Sequence, residues 1–371
     1  PMNDSRPQRL AVADEEVAAR VASTVRADVR ALHAYAVAKG DRMIRLDANE
    51  SPWSLPDAIR QKLGAALAQV QLNRYPDGGA DAVRDALRRT LGLPDGVALV
   101  LGNGSDEILQ LITTAVAESG AAVLAPDPTF VMYRVYAGHA RMRYVPVPLR
   151  SDLTLDVDAM LAAIARERPA LVWLASPNNP TGTQFDAADV ERVVRATPGL
   201  VVVDEAYVAY GSSAFLPRVL EFPNLVVVRT QSKVGMAGMR LGYAIGHPAW
   251  IAEIDKLRSP YNVNSLTQAA ARVLLAEDAL FAEQTSAVRA ERGRLSTRLA
   301  ALPGVQVFPS EANFVVARFP DAGATFAALR AAGILVKNVS GFHPLLANCL
   351  RITVGTPAEN DALIAVLDGR T

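Results

Sequence analysis

Lys233 stands in the run Thr230-Gln231-Ser232-Lys233-Val234-Gly235-Met236-Ala237-Gly238-Met239-Arg240, where one amine is set among hydroxyls, glycines and a guanidinium. The run follows Leu225-Val226-Val227-Val228, an apolar stretch of the kind that predicts a buried strand. An amine just past such a strand lies where open α/β sheets bind ligands, and it can form a Schiff base with an aldehyde. Thr230, Ser232 and Arg240 offer donors to a phosphate. Pyridoxal phosphate has both an aldehyde and a phosphate, so it is the ligand this chemistry predicts. Read alone, the run also fits an ordinary surface turn that contains a lysine.

Three more segments repeat the pattern of an apolar run followed by polar residues. Leu200-Val201-Val202-Val203 ends in Asp204, with Tyr207 three residues further on. A carboxylate facing a pyridine nitrogen keeps that nitrogen protonated, and a protonated ring accepts the electrons released when a Cα proton leaves. Tyr207 can hydrogen-bond the ring's 3-oxygen and help set the proton affinity of the Schiff base. The plainer alternatives are an N-cap for Asp204 and a core aromatic for Tyr207. Ala170-Leu171-Val172-Trp173-Leu174-Ala175 runs into Ser176-Pro177-Asn178-Asn179-Pro180-Thr181-Gly182, a rigid loop that can aim the Asn179 amide at the same ring oxygen, or a mere turn. Ala98-Leu99-Val100-Leu101 leads into Gly102-Asn103-Gly104-Ser105-Asp106. There a helix start points free N–H groups at an anion; the bland version is a helix capped by Ser105. The third glycine of a dinucleotide fingerprint and the Gly-Lys-Ser/Thr of a P-loop are both missing, so nicotinamide and nucleoside triphosphate readings lose ground.

To place these residues together, the chain must alternate strands with helices. Helix patterns cover 81–91, 105–118, 156–168 and 186–196, which predicts an α/β fold with a mostly parallel central sheet and helices on both faces. Beyond Pro260-Tyr261-Asn262 the character changes. One long helical pattern over 265–302 precedes short strands near 305–308, 314–317, 334–336 and 350–354, which predicts a smaller α+β C-terminal domain. The expected division is an N-terminal arm and segment over 1–55, a large cofactor domain over 56–262, and a small domain over 263–371. Substrate would lie between the two domains, which could close over it.

The 371 residues carry 38 basic and 38 acidic side chains, so bulk charge argues against nucleic-acid or membrane-surface partners. Cys349 is the sole cysteine; an intrachain disulfide is excluded and a reducing compartment is expected. The four histidines are too scattered for a metal site and are expected at the surface or as caps. No transmembrane run appears, and the first residues lack a signal peptide's apolar core. A cytoplasmic enzyme is expected.

In this order, these segments resemble the fold type I pyridoxal-phosphate aminotransferases. Details elsewhere resemble their histidinol-phosphate aminotransferase branch: Leu46-Asp47-Ala48-Asn49-Glu50-Ser51-Pro52, Arg74-Tyr75-Pro76-Asp77, Pro128-Thr129-Phe130-Val131-Met132-Tyr133, Glu311-Ala312-Asn313-Phe314 and Leu350-Arg351-Ile352-Thr353-Val354-Gly355-Thr356. The likeness spans roughly residues 30 to 360. It implies that Lys233 is the Schiff-base lysine and proton shuttle, Asp204 the pyridine partner, Asn179 and Tyr207 the 3-oxygen partners, and Phe130 the ring's stacking partner. It places Gly104, Ser105, Asp106, Thr230, Ser232 and Arg240 around the phosphate, with Tyr75 reaching in from the other subunit of a homodimer with shared active sites. Arg351 would grip the substrate's anionic group, with Lys337, Tyr35 and Asn49 also lining the substrate site. The implied reaction passes an amino group between L-histidinol phosphate and 2-oxoglutarate, giving glutamate, in a ping-pong cycle of pyridoxal and pyridoxamine forms within histidine biosynthesis. Rivals are an aromatic amino-acid transaminase, a threonine-phosphate decarboxylase-like enzyme, and a cofactor sensor without turnover. Two departures stand out: Lys233 and Arg240 are one residue closer than in most of the family, and Lys337 stands where many branch members carry arginine.

Overall fold

The computed structural model describes residues 14–32, 40 and 42–369, which fall into two compact units divided at Asp41 and Arg42. Within the first unit, Asp14–Thr24 and Ala27–Arg30 are helical, and Val17, Val21 and Val29 are exposed.

The second unit holds two sheets. Seven strands run in the spatial order Ala98–Asn103, Leu241–Gly246, Leu225–Thr230, Leu200–Asp204, Leu171–Ala175, Ala122–Asp127 and Arg143–Pro148. Leu241–Gly246 alone runs against the direction of the other six. Alternate residues of each strand enter different cores. Val201 and Val203 join one cluster with Val172, Leu174 and Val227, while Leu200 and Val202 join another with Trp173, Val226 and Val228. Burial on both faces is why these strands read as unbroken apolar runs instead of alternating ones.

The smaller sheet runs Ile44–Leu46, Ile334–Asn338, Cys349–Thr353, Phe314–Arg318 and Gln306–Val307. Ile44–Leu46 pairs in parallel with Ile334–Val336, so the N-terminal segment contributes a strand to a sheet otherwise built near the C-terminus. A third core cluster joins this sheet to Val288, Leu295 and Leu299 of a long helix.

The single helix predicted over 265–302 is two, Ser265–Leu274 and Asp278–Ala300. Asn264 caps the first by accepting from the Thr267 N–H at 2.9 Å. Between them, Leu275 turns inward to 6% exposure, its carbonyl accepts from the Thr90 hydroxyl, and Glu277 pairs with Lys62 at 2.8 Å. Asp278 then opens a new helix with its carboxylate at the positive end. The four other expected helices lie at Asp81–Leu91, Ser105–Ala115, Val157–Glu167 and Ala187–Ala196, within a few residues of expectation, with Asp156 and Asp186 acting as N-caps, whereas Asp57–Ala68, Met132–His139, Pro248–Asp255, Ala322–Ala331 and Pro357–Leu367 were not expected. His247 and His343 also cap, each Nδ1 accepting from a backbone N–H two residues on. His33 lies outside the described residues.

Candidate active site

The parallel strands deliver their C-terminal ends to one edge of the seven-stranded sheet, and the candidate residues follow those ends directly. Leu225–Thr230 gives way to a single turn, Ser232–Val234, that carries Lys233. The Lys233 carbonyl accepts from the Tyr210 hydroxyl at 2.6 Å, which fixes the turn, and Nζ lies 5.7 Å from the centre of the Tyr207 ring.

Asp204, at the tip of the neighbouring strand, is 5% exposed. Its Oδ1 accepts from the Ala206 N–H at 3.0 Å and its Oδ2 from the Tyr133 hydroxyl at 2.7 Å. Burial pushes the Asp204 carboxyl up to about 6, although those two hydrogen bonds pull the other way. Tyr133 is wholly buried, stacked on Trp173 at 4.8 Å and met edge-on by Phe130 at 5.7 Å. Its phenol is raised well above its usual value, first by burial and then by Asp204, so it stays a donor.

The phosphate candidates meet at the next rim position. Gly104, with φ +84°, takes the N-cap place expected of Ser105, which starts the Ser105–Ala115 helix instead. Glycine is required twice. A Cβ on Gly104 would come 2.5 Å from Arg240 Nη2, and one on Gly242 would come 2.3 Å from the Ser105 nitrogen. Thr230 donates to Ser232 Oγ at 3.0 Å, Arg240 Nη1 donates to the same oxygen at 3.4 Å, and Arg240 Nη2 lies 3.6 Å from Asp106. The short Lys233 to Arg240 loop is absorbed by left-handed backbone at Gly235 and Arg240 and a second single turn, Ala237–Met239, and it still brings Arg240 to the cradle.

Arg351, on the smaller sheet, reaches the same region at 9% exposure. Nη1 donates to Asn179 Oδ1 at 2.7 Å and Nη2 to the Asp47 carbonyl at 2.8 Å, with the guanidinium over the Phe314 ring. The Asn179 loop is held by its buried neighbour Asn178, which donates to the Pro128 carbonyl and to Thr181. Lys337 sits opposite Arg351 across the strand pair, with Nζ 5.9 Å from the Phe342 ring centre. Asn49 is 2% exposed and its amide donates to the Tyr207 oxygen at 2.9 Å. Tyr75 is 82% exposed and stacks on Tyr261 at 4.7 Å. Tyr35 lies outside the described residues.

Several contributors carried no readable signal: Tyr133 as Asp204's donor, Asp47 through its carbonyl, Thr353 as Asn49's partner, and Gly242 as the gap that admits Ser105. Phe130 and Tyr133 stood together in the Pro128–Tyr133 motif, where the resemblance gave Phe130 a stacking role and Tyr133 none.

The aminotransferase class I and II family matches residues 41–367. A histidinol-phosphate aminotransferase of Burkholderia lata is 54% identical over 92% of this chain and 96% of its own. One from Chromobacterium violaceum is 52% identical over 94% and 98%. The solved structure of histidinol-phosphate aminotransferase from Sinorhizobium meliloti in complex with pyridoxal-5'-phosphate superposes with a TM-score of 0.82 at 27% identity, covering 94% of this chain and 99% of that one. With its fold, its strand-end lysine and these relatives in agreement, the chain belongs to the aminotransferase class I and II family.

Proposed function

We propose that this protein is a pyridoxal 5'-phosphate-dependent transaminase that moves an amino group between L-histidinol phosphate and 2-oxoglutarate. The observation that carries the reading is the contact of Arg351 with Asn179, which brings an anion-gripping fork from one sheet beside the strand-end residues of the other. The substrate itself follows from relatives more than 50% identical over nearly the whole chain.

The residues present suit this cofactor. An ionised carboxylate as buried as Asp204 is costly unless a cation faces it, and a protonated pyridine nitrogen is such a cation. The Gly104, Ser105, Thr230, Ser232 and Arg240 cradle has the donors and the missing Cβ atoms that a phosphate needs. When bound, pyridoxal phosphate supplies an aldehyde and a ring that withdraws electrons from the substrate's Cα.

The chain's own residues do the rest. Lys233 Nζ moves the Cα proton, its backbone fixed by Tyr210. Asp204, held by Tyr133 and the Ala206 N–H, keeps the ring nitrogen protonated. Asn179 and Tyr207 would donate to the ring's 3-oxygen, and Phe130 would cover the ring face. Arg351 binds a phosphate in one half-reaction and a carboxylate in the other, because a planar guanidinium grips either through two parallel bonds. Lys337 adds charge for the dianionic phosphate. Exposed Tyr75 supports a homodimer in which it reaches the partner's phosphate site. The lone, buried Cys349 suits a reducing, cytoplasmic setting.

The test is a donor screen on the purified protein, following the visible absorbance of bound cofactor. Histidinol phosphate should discharge that absorbance faster than phenylalanine does. The reverse order would favour an aromatic transaminase.

A further inference from the structure

Asn49 was expected to line the substrate site, but every polar group of this residue is engaged elsewhere. Its backbone N–H donates to Thr353 Oγ1 at 3.0 Å, the Thr353 hydroxyl donates to Asn49 Oδ1 at 3.1 Å, and Asn313 Nδ2 donates to the Asn49 carbonyl at 2.9 Å. The remaining group, Nδ2, donates to the Tyr207 hydroxyl oxygen at 2.9 Å. Two residues back, the Asp47 carbonyl accepts from Arg351. The segment 47–49 therefore links the anion-binding guanidinium to the phenol beneath Lys233. Asn49 also holds a left-handed backbone, φ +56°, at 2% exposure. Asparagine tolerates that region better than most residues, and a strained buried position of this kind persists only where its surroundings impose it.

We propose that Asn49 is a positioning residue for Tyr207, and not a substrate ligand: its amide occupies the phenol's acceptor side, so that the Tyr207 proton is directed outward, toward the cofactor's ring oxygen. A hydroxyl that accepts a hydrogen bond becomes a better donor. A stronger donor at the 3-oxygen stabilises that oxygen's anion and lowers the proton affinity of the nitrogen conjugated to it. The inference rests on the assignment of Tyr207 to the cofactor ring. The ionisable groups around the phenol are Lys233 over its face, Asp204, Tyr133 and Tyr210 on neighbouring elements, and Arg351 behind Phe314. Asn49→Gly changes none of them, whereas Asn49→Asp adds one carboxylate beside the phenol.

The experiment is a pH titration of the holoenzyme's visible cofactor absorbance in wild type, Tyr207→Phe, Asn49→Gly and Asn49→Asp. Glycine accepts the left-handed backbone and removes the amide, so a folded protein is retained; aspartate keeps the shape but replaces the donor with an acceptor. The absorbance midpoint should rise in Tyr207→Phe and rise by a smaller amount in Asn49→Gly, about a threefold to tenfold change in proton affinity for one ordinary hydrogen bond. Asn49→Asp should move it the same way. In Asn49→Gly, which adds no charge, KM for histidinol phosphate and for glutamate should hold steady while kcat falls. If Tyr207→Phe shifts the midpoint and neither Asn49 variant does, the link is overturned. A raised KM for histidinol phosphate with an unmoved midpoint would restore Asn49 to the substrate. If Tyr207→Phe itself leaves the midpoint in place, the placement of Tyr207 fails, and this inference with it.

Discussion

At the rim of the seven-stranded sheet Ser105, Asn179, Asp204, Tyr207 and Lys233 stand at or a few positions past the ends of their own strands, and Arg240 directly before the next, whereas the smaller sheet's share is assembled from segments 304 positions apart, as in Arg351 with Asp47 and Thr353 with Asn49. The first arrangement is local. Lys233 comes three residues after Thr230, and Asp204 is itself a strand tip. The second exists only once Ile44–Leu46 has paired with Ile334–Val336 and so brought the N-terminal segment beside Arg351. Chemistry carried by a strand end is fixed by local sequence, while chemistry carried by a pairing depends on the fold.

The sharpest way to break this contrast is at the local rim. Lys233→Ala should abolish turnover, by more than about four orders of magnitude, with the protein still folded by circular dichroism. Residual activity within a hundredfold of wild type would move the proton-transfer role elsewhere.

Asp204→Asn should cost several kcal/mol of barrier, roughly a hundredfold or more in kcat, because a neutral pyridine draws electrons poorly. Its effect on stability should have the opposite sign. Folding raises this carboxyl from 3.8 to about 6 through burial, so its folded form holds a proton that the unfolded chain gives up. That contribution is fully present below about pH 4 and is lost as pH rises through about 6. In cofactor-free protein, Asp204→Asn should therefore be more stable than wild type at pH 8, by up to about 3 kcal/mol, and no more stable at pH 4. Urea unfolding at the two pH values reads the difference.

Arg351→Ala should impair both half-reactions, and Lys337→Ala should raise KM for histidinol phosphate far more than for glutamate. Each loses one charged contact, about 1.5–3 kcal/mol, or ten- to a hundredfold. Equal effects of Lys337→Ala on both substrates would remove its phosphate role. Gly242→Ala sharpens the comparison from inside the local rim. The added methyl presses on the Ser105 nitrogen, so cofactor affinity should drop by an amount in the overpacking range of about 1–3 kcal/mol. Fluorescence titration of the cofactor-free protein measures it.

Much of the first region was legible in the sequence because apolar runs buried on both faces have unmistakable ends, and the polar residues just beyond them are where sheets of this kind bind ligands. Gly102 and Gly104 stood in the sequence beside the helix start at Ser105, but nothing there marked the particular gap Gly242 leaves for Ser105. The role of Tyr133 was hidden although the residue stood in a motif, because its hydroxyl finds Asp204 only through a side-chain contact spanning 71 positions. Asn49 was visible as part of a motif, yet its partners Tyr207, Asn313 and Thr353 lie 158 to 304 positions further along the chain. The helix break at Leu275 was missed for a related reason: the apolar pattern continues through it, and the turn is set by what the two helices pack against.

The cofactor's attachment turns on one amine. Borohydride reduction of the holoenzyme, followed by proteolysis and peptide mass analysis, should leave the pyridoxyl mass on the peptide that contains Lys233 and on no other. The same mass on a peptide carrying Lys62, Lys256 or Lys337 in place of Lys233 would contradict the account.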